Sequence, residues 1–330
     1  MDAPKSVVDA IQAFPYLRRD SMTFPMILAG LAAYAALDEG TCKTHNTSAA
    51  YYLGNLEAVD AAIIRCLSVF ATTVALVYCH KRNRQFTHPQ KHGSFVGNLL
   101  LMMGISDEHT ERCLERLWIV YSDHEMTNST AAFLHSASSL TDPVSCMISG
   151  VVAAYGPLHG GAIDLAHKEY ARIGSPENVP ALIAAVKAKK QRLFGYGHRM
   201  YKTEDPRSKL ILGMIHSTLH ETPHRMLDGR SSSLLQVALE IDRVASTDNY
   251  FVSRGLRANA DLYGSLLYTA LGLEADIVVA LACVSRTGGV MAHWREAMQQ
   301  TPVLWRPKQL YVGPLPRVFD SRETDGQRKV

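Results

Sequence analysis

Several stretches of this sequence are apolar on every face that a helix would present. The stretches 126–140 and 144–155 carry almost no charge, and an uncharged run at 66–79 lies within a longer helical passage, 49–78. A helix that is apolar all round cannot face water and belongs in a core or a subunit interface. Because the run 66–79 is too short to span a bilayer, we expect it to lie in a core.

Helical signals recur along the chain, whereas strand signals are nearly absent. Acidic residues and prolines mark candidate helix starts, as in Asp107-Glu108, Thr141-Asp142-Pro143 and Asp205-Pro206. Helices are predicted at 24–37, 49–78, 107–120, 126–140, 144–155, 159–172, 180–191, 205–220, 231–244, 259–271 and 275–298. Fraying is predicted for 1–22, loops for 40–48, 82–93 and 223–230, and an extended tail from 305. The sequence therefore predicts an all-α fold.

The composition is that of a well-packed enzyme, with 47% apolar and 20% charged residues. A chain of 330 residues can form one large domain or two unequal ones. The net charge of +3 is small, so we expect neither nucleic acid nor a membrane as a partner. Six scattered cysteines without a Cys-x-x-Cys pair, and no recognisable signal, transit or peroxisomal sequence, predict a reducing, cytoplasmic location.

Two histidines stand among glycines, where the backbone can bend sharply and approach a ligand. His159 lies in Gly-Pro-Leu-His-Gly-Gly-Ala at 156–162, and His198 follows Gly-Tyr-Gly at 195–197. A histidine in such a turn can exchange a hydrogen bond or a proton with a substrate oxygen near neutral pH. Either histidine alone is nevertheless more often a turn residue than a catalytic one.

Three further groups carry charge or polarity in apolar surroundings. His124 follows a helix, Asp261 stands at the start of an apolar helix, and Arg286 lies inside a long apolar helix. Each has a structural alternative, because His124 and Asp261 could cap their helices and Arg286 could pair with a core carboxylate. No metal site is predicted, since no His-x-x-x-His or Cys-x-x-Cys spacing links these groups.

Together these groups suit carbon–carbon bond formation through an enol. A carboxylate such as Asp261 would take a proton from a carbon acid, while His159 would hydrogen-bond the developing enolate oxygen as a neutral donor. Arginines would hold a dicarboxylate electrophile through bidentate contacts. A histidine-based hydrolase is less favoured, because the sequence offers no convincing serine or cysteine nucleophile.

At these residues the sequence resembles the citrate synthase family. The resemblance includes that family's two histidine motifs, its Asn-Val-Asp-Phe-Tyr segment, its Ser-Arg-Thr…Ala-His-Trp helix and its C-terminal arginine segment. The matching segments lie, in consistent order, at 156–162, 197–207, 259–263, 285–294 and 306–313. The resemblance extends over about residues 24–315 and implies a condensing acyltransferase that joins an acyl-CoA to oxaloacetate.

The resemblance implies a role for each site residue. Asp261 would deprotonate the acyl-CoA thioester, His159 would stabilise the enol, and His198 would polarise the carbonyl of oxaloacetate. The oxaloacetate carboxylates would be bound by His124, Arg207 and Arg286. Arg306 would reach the site from the second subunit of a homodimer. Hydrolysis of the citryl-CoA intermediate would release CoA, and neither a metal nor a tightly bound cofactor is implied.

The resemblance also implies a CoA site and a domain organisation. CoA would lie along the backbone of Gly195, Tyr196 and Gly197. Two cations, Lys202 and Arg254, would lie near its phosphates. A large helical domain that dimerises would comprise 1–159 and 273–330. A smaller helical domain, 160–272, would close over the active site with His159 at the hinge.

The sequence departs from the family pattern at several points. Thr127 replaces an asparagine, Ile-Asp at 163–164 replaces Asn-Glu, and the chain begins near Pro25, where family members carry a longer N-terminal region. Val290 stands where the family often has tryptophan. A smaller side chain near the acyl pocket would admit an acyl group longer than acetyl. Citrate, 2-methylcitrate and alkylcitrate synthase remain alternatives, as does a catalytically inactive helical dimer that binds ligands.

Overall fold

The computed structural model describes residues 3–15, 23–46, 50–91, 93–221 and 229–314. Within these ranges the regular elements are helices, including one short 3-10 turn at Pro176–Asn178, and a single isolated bridge joins Tyr196 to Ala258. The α-helices in chain order are α1 (Lys5–Gln12), α2 (Thr23–Ala35), α3 (Glu39–Asn46), α4 (Leu56–Lys81), α5 (Phe95–Met102), α6 (Glu108–Tyr121), α7 (Asn128–Ala137), α8 (Pro143–Ala154), α9 (Gly161–Ile173), α10 (Val179–Lys187), α11 (Pro206–Glu221), α12 (Gly229–Ala245), α13 (Asn249–Val252), α14 (Ala260–Ala270) and α15 (Ala275–Ala297). The all-α prediction is confirmed.

The two longest helices, α4 and α15, lie at the centre of the core. Every side chain from Phe70 to Cys79 in α4 is buried. Both helices are long and apolar enough to cross a membrane by length and composition alone. In this structure, however, 72% of the most apolar part of α4 and 56% of that of α15 are buried inside the protein. Such burial is that of core helices in a folded domain, as predicted for the run 66–79.

The helices pack in two groups that α15 connects. In the first group α4 packs against α1, α2, α5, α8 and α15, and α7 packs against α8. In the second group α14 packs against α9, α11 and α12, and α10 packs against α12. Helix α15 contacts both groups, because it also packs on α9 and α14. The two-domain division predicted at residues 159/160 and 272/273 stays a prediction.

The start of α8 is fixed by a buried aspartate. The Asp142 carboxylate is fully buried and accepts hydrogen bonds from the backbone N–H groups of Val144 at 3.1 Å and Ser145 at 2.9 Å. The Thr41 hydroxyl donates to the same carboxylate at 3.0 Å. With Pro143 at the first helical position, this geometry confirms the predicted helix start. The cap therefore joins α3 to α8.

Two segments predicted to be irregular are helical, so these predictions were wrong. Helix α1 lies within 1–22 and buries Val7 and Ile11, four residues apart on one face, as it packs against α2. The apolar pair and the opposite charges of Lys5 and Asp9, also four residues apart, are the sequence signals for this helix. The predicted loop 223–230 falls mostly on residues outside the described ranges.

Helix α3 replaces the loop predicted at 40–48. Its glycine, threonines and asparagine have low helix propensity, which concealed it in the sequence. Asp38 supplies the missing stabilisation, because its buried carboxylate accepts the Thr41 backbone N–H at 2.9 Å. Tertiary and capping interactions thus outweigh local propensity here.

We expect Asp142→Ala to lower the free energy of unfolding by about 2–3 kcal/mol, because it removes a cap and leaves buried donors without an acceptor. Chemical denaturation monitored by circular dichroism measures this loss. Asp248→Ala is the matched control, since Asp248 caps the short, partly exposed helix α13. We expect it to lose about 1 kcal/mol or less. Equal losses in both variants would contradict the structural role assigned to Asp142.

Candidate active site

A cavity of about 640 Å³ lies among α4, α6, α7, α8, α9, α11, α14 and α15. Six of the residues predicted for catalysis and carboxylate binding line it. They are His124, His159, His198, Arg207, Asp261 and Arg286. Residues from both groups of helices thus meet around one space.

His159 lies in the glycine-rich turn between α8 and α9. Its Nε2 atom is 3.4 Å from the backbone N of Ser129 and 2.9 Å from the Ser129 hydroxyl. Because a backbone N–H can only donate, Nε2 is an acceptor, and the proton of the neutral ring is on Nδ1. Burial, with a contribution from Arg286, lowers the pKa of His159. The ring is therefore a neutral donor at physiological pH.

His198 has the opposite tautomer to His159, and its own turn fixes this tautomer. Its Nδ1 accepts the backbone N–H groups of Met200 at 3.1 Å and Tyr201 at 3.2 Å, so the proton of the neutral ring is on Nε2. Burial lowers the pKa of His198, and the nearby Arg207 and His124 act in the same direction against Asp205. His198 is thus a second neutral donor.

His124 lies beside His198, with 5.2 Å between the ring centroids. Its Nε2 is 3.1 Å from the Tyr201 hydroxyl. Burial, together with Arg207, lowers the pKa of His124 as well. Three neutral imidazoles, those of His124, His159 and His198, therefore line the cavity.

Asp261 stands in the first turn of α14, but it is not the helix cap. The cap is Asn259, whose side-chain oxygen accepts the Asp261 backbone N–H at 2.9 Å. In the described part of the chain no hydrogen-bond donor contacts the Asp261 carboxylate. Burial raises the pKa of this carboxyl to about 6, although Arg207 opposes the shift. A carboxylate with this pKa is ionised at neutral pH and is a stronger base than an ordinary aspartate.

The two cavity arginines differ in their partners. Arg207 forms a two-pronged ion pair with the fully buried Asp205, at 3.0 and 2.7 Å. By contrast, the Nη1 atom of Arg286 is buried and has no hydrogen-bond partner within the described residues. Burial, reinforced by Arg207, lowers the pKa of Arg286. The alternative that Arg286 pairs with a core carboxylate is not supported, because none forms an ion pair with it in the described ranges. An orphaned buried guanidinium is costly and suits an anionic ligand.

Sequence reasoning did not identify the residues that hold these groups in place. Ser129 orients His159 from 30 positions away, and Tyr201 contacts His124 from 77 positions away. Asp205 was recognised only as a helix start. None of these long-range contacts has a local sequence signal.

Six other predicted residues do not line the cavity: Gly195, Tyr196, Gly197, Lys202, Arg254 and Arg306. Gly195 and Gly197 form a turn with positive φ angles of 79° and 89°. A Cβ at Gly195 would come within 2.8 Å of the Cα of Leu262 in α14. The Tyr196 hydroxyl donates to Asp242 at 2.5 Å. The turn thus has a structural role, and its predicted contact with CoA stays a prediction.

Two of the departures from the family pattern lie at the cavity. Thr127 caps α7, and both Thr127 and Val290 line the cavity wall. The hypothesis that Val290 affects acyl length stays a prediction. Across the described residues, no group of three or more His, Cys, Asp or Glu side chains is placed to hold a metal ion.

Asp261 makes stability depend on pH in a defined direction. Because the folded protein holds this proton up to about pH 6, and an ordinary aspartate releases it near 3.8, the ionised group destabilises the fold increasingly across this interval. We expect Asp261→Asn to raise the unfolding temperature more at pH 8 than at pH 5, as measured by calorimetry.

The control for this experiment is Asp60→Asn. Its ion pair with Arg295 lowers the pKa of Asp60, so this carboxylate is ionised at both pH values. We therefore expect Asp60→Asn to lower the unfolding temperature by the same amount at pH 5 and at pH 8. An effect of Asp261→Asn that is equal at pH 5 and pH 8 would contradict the environment described for Asp261.

The comparisons of this sequence with known proteins agree on its family. The family model for the C-terminal domain of citrate synthase matches residues 1–308. A citrate synthase-like protein of Phoma sp. is 47% identical over 93% of this chain and 64% of its own length. An alkylcitrate synthase of Talaromyces stipitatus is 39% identical over 99% of this chain and 72% of its own length. The chain thus spans about two thirds of the length of these relatives.

The fold comparison agrees. Citrate synthase from Thermoplasma acidophilum, solved as a ternary complex with carboxymethyl coenzyme A and oxaloacetate, aligns with a TM-score of 0.81 and 27% identity over 97% of this chain and 80% of its own. Citrate synthase from Pyrobaculum aerophilum gives a TM-score of 0.81 and 26% identity over 98% of this chain and 78% of its own. By motifs, fold and relatives, this chain belongs to the citrate synthase family.

Proposed function

We propose that this protein condenses an acyl-CoA thioester with oxaloacetate through an enol and then hydrolyses the resulting citryl-CoA-type thioester. The observation that carries the proposal is the placement of Asp261, a carboxylate with a pKa of about 6, in one cavity with two neutral histidine donors. The relatives named citrate synthase-like protein and alkylcitrate synthase support it.

The first step forms the enol. Asp261 removes a proton from the carbon next to the thioester carbonyl, and the Nδ1–H of His159 donates to the carbonyl oxygen as negative charge develops there. A neutral donor fixed by Ser129 needs no reorganisation during this step. The same division between a carboxylate base and a neutral histidine operates in triosephosphate isomerase.

The second step forms the carbon–carbon bond. The Nε2–H of His198 polarises and protonates the ketone of oxaloacetate while the enol carbon attacks it. The oxaloacetate carboxylates bind to Arg286, Arg207 and His124, and Arg286 contributes the unpaired guanidinium. Water then hydrolyses the thioester and releases CoA.

CoA acts as a co-substrate, and the proposed reaction uses no tightly bound cofactor. CoA would contact the backbone of Gly195, Tyr196 and Gly197, and Lys202 and Arg254 would lie near the CoA phosphates. Lys202 and Arg254 are both exposed, and a Cβ at Gly255, the residue after Arg254, would lie 3.3 Å from the carbonyl oxygen of Lys202. Two cations on one exposed surface suit phosphate groups.

The working form proposed here is a homodimer whose small domain, 160–272, closes over bound oxaloacetate. The exposed tail supports the dimer, because Leu310, Tyr311 and Val312 expose between 75% and 88% of their surface, and Arg306 on the same tail is exposed. Arg306 would then complete the partner's site. A cytoplasmic location stays a prediction, since a relative that is 36% identical is a peroxisomal citrate synthase of Dictyostelium discoideum.

A thiol-release assay with oxaloacetate and a panel of acyl-CoA substrates tests the activity. We expect release that requires oxaloacetate, that declines as the pH falls through about 6 because the Asp261 base becomes protonated, and that drops by about a thousandfold in Asp261→Asn. Asp164→Asn, on α9 and outside the cavity lining, is the control and should retain activity.

Two results would contradict the proposal. Absence of release with every acyl-CoA would favour an inactive ligand-binding dimer. Release without oxaloacetate would instead indicate a thioesterase.

Subunit complementation tests the proposed position of Arg306. We expect Asp261→Ala and Arg306→Ala to be nearly inactive alone and to regain about a quarter of wild-type activity when coexpressed in equal amounts, since half of the dimers then hold one intact site. Analytical ultracentrifugation establishes the dimer independently. If Arg306 acts within its own subunit, the mixed dimers stay inactive.

A further inference from the structure

The deep side of the cavity is apolar and consists of core side chains. Phe70, Phe133, Met147, Val151 and Met291 line the cavity, although none exposes more than 5% of its surface. The condensation steps use none of these residues. Oxaloacetate is a small dianion and does not require such walls, so this apolar space needs another occupant.

One wall of this space is a single face of α8. The lining residues are Met147, Gly150, Val151 and Ala154, whose spacing places them in one row along the helix. The row carries no polar side chain and extends about 10 Å along the helix axis. It is therefore long enough to contact several methylene groups at once.

The facing wall belongs to α15 and leads directly to the proposed oxaloacetate site. Its lining residues before Arg286 are Val279, Ala282 and Cys283, with the same spacing as the row on α8. Val290 and Met291 continue the wall beyond Arg286. Arg286 is the one charged residue that α15 contributes to the lining, so the apolar surface begins next to the proposed anion site.

Gly150 brings the apolar wall close to the proposed catalytic histidine. A Cβ at Gly150 would lie 3.3 Å from the carbonyl oxygen of Ser129 and 3.4 Å from the Cβ of Phe133. The absence of this atom lets α8 pack closely on α7, where Ser129 orients His159. His159 and the row on α8 therefore line the same cavity, connected through Ser129.

We propose that this apolar chamber, formed by the cavity faces of α8 and α15 with Phe70 and Phe133, binds the alkyl tail of a medium-chain acyl-CoA. Met147 and Val151 set the tail length. The inference rests on the proposed condensation, because the tail extends from the carbon that Asp261 deprotonates. Each methylene buried in the chamber strengthens binding about fourfold.

Binding of unreactive S-alkyl-CoA thioethers, measured by calorimetry with oxaloacetate present, tests the chamber without requiring turnover. We expect S-hexyl-CoA to bind on the order of a hundredfold more tightly than S-ethyl-CoA. Val151→Phe should remove most of this difference by filling the chamber. Val152→Phe is the matched control, because Val152 is 48% exposed and does not line the cavity.

A second variant keeps the test decisive if Val151→Phe does not fold. Met147→Ala enlarges the chamber, so the acyl-CoA with the highest kcat/KM should be longer in this variant than in the wild type. Equal affinity for S-ethyl-CoA and S-hexyl-CoA, with turnover of acetyl-CoA alone, would overturn the chamber and leave the proposed function intact. Affinity that rises with chain length, without turnover of any acyl-CoA, would overturn the proposed function and leave the chamber.

Discussion

The geometry of the cavity depends on one buried carboxylate, that of Asp205. Besides the two-pronged contact with the Arg207 side chain, it accepts the backbone N–H of Ala260 at 3.2 Å. Ala260 is the first residue of α14 and immediately precedes Asp261. Burial alone would raise the pKa of Asp205, but the hydrogen bonds from Arg207 lower it, so the carboxylate stays ionised. One anion therefore fixes both Arg207, a proposed substrate-binding cation, and the helix end that carries the proposed base.

The charged groups of the site divide into a pair that is satisfied within the protein and two groups that are not. Asp205 and Arg207 satisfy each other, whereas the carboxylate of Asp261 and Nη1 of Arg286 have no hydrogen-bond partner in the described part of the chain. Such groups cost stability, which the apolar packing around α4 and α15 offsets. His159 and His198 are also fixed in advance, because backbone N–H groups donate to one ring nitrogen of each and leave the other as a donor. This arrangement supports the proposed binding of an anion and a carbon acid.

The sequence predicted the helical fold and six polar residues that line the cavity, but not the contacts that orient them. Long apolar helices and the near absence of strand signals suffice for the fold class, and the motifs around His159 and His198 predict two histidines that line the cavity. Ser129 and Tyr201 act across 30 and 77 positions, and such contacts exist only once the chain has folded. Helix α3 was missed for a related reason, since Asp38 stabilises a segment of low helix propensity.

The apolar chamber shows why substrate size is harder to predict from sequence than chemistry. A core position and a chamber wall have the same composition, so Val151 and its buried neighbours resemble ordinary packing residues until the cavity is located. The proposed reacting groups lie in turns and at a helix start, whereas the chamber walls are helix interiors. A change of side-chain volume on α8 can therefore alter the space for an acyl tail without moving Asp261 or the two histidines. This separation lets one condensation chemistry serve acyl groups of different length.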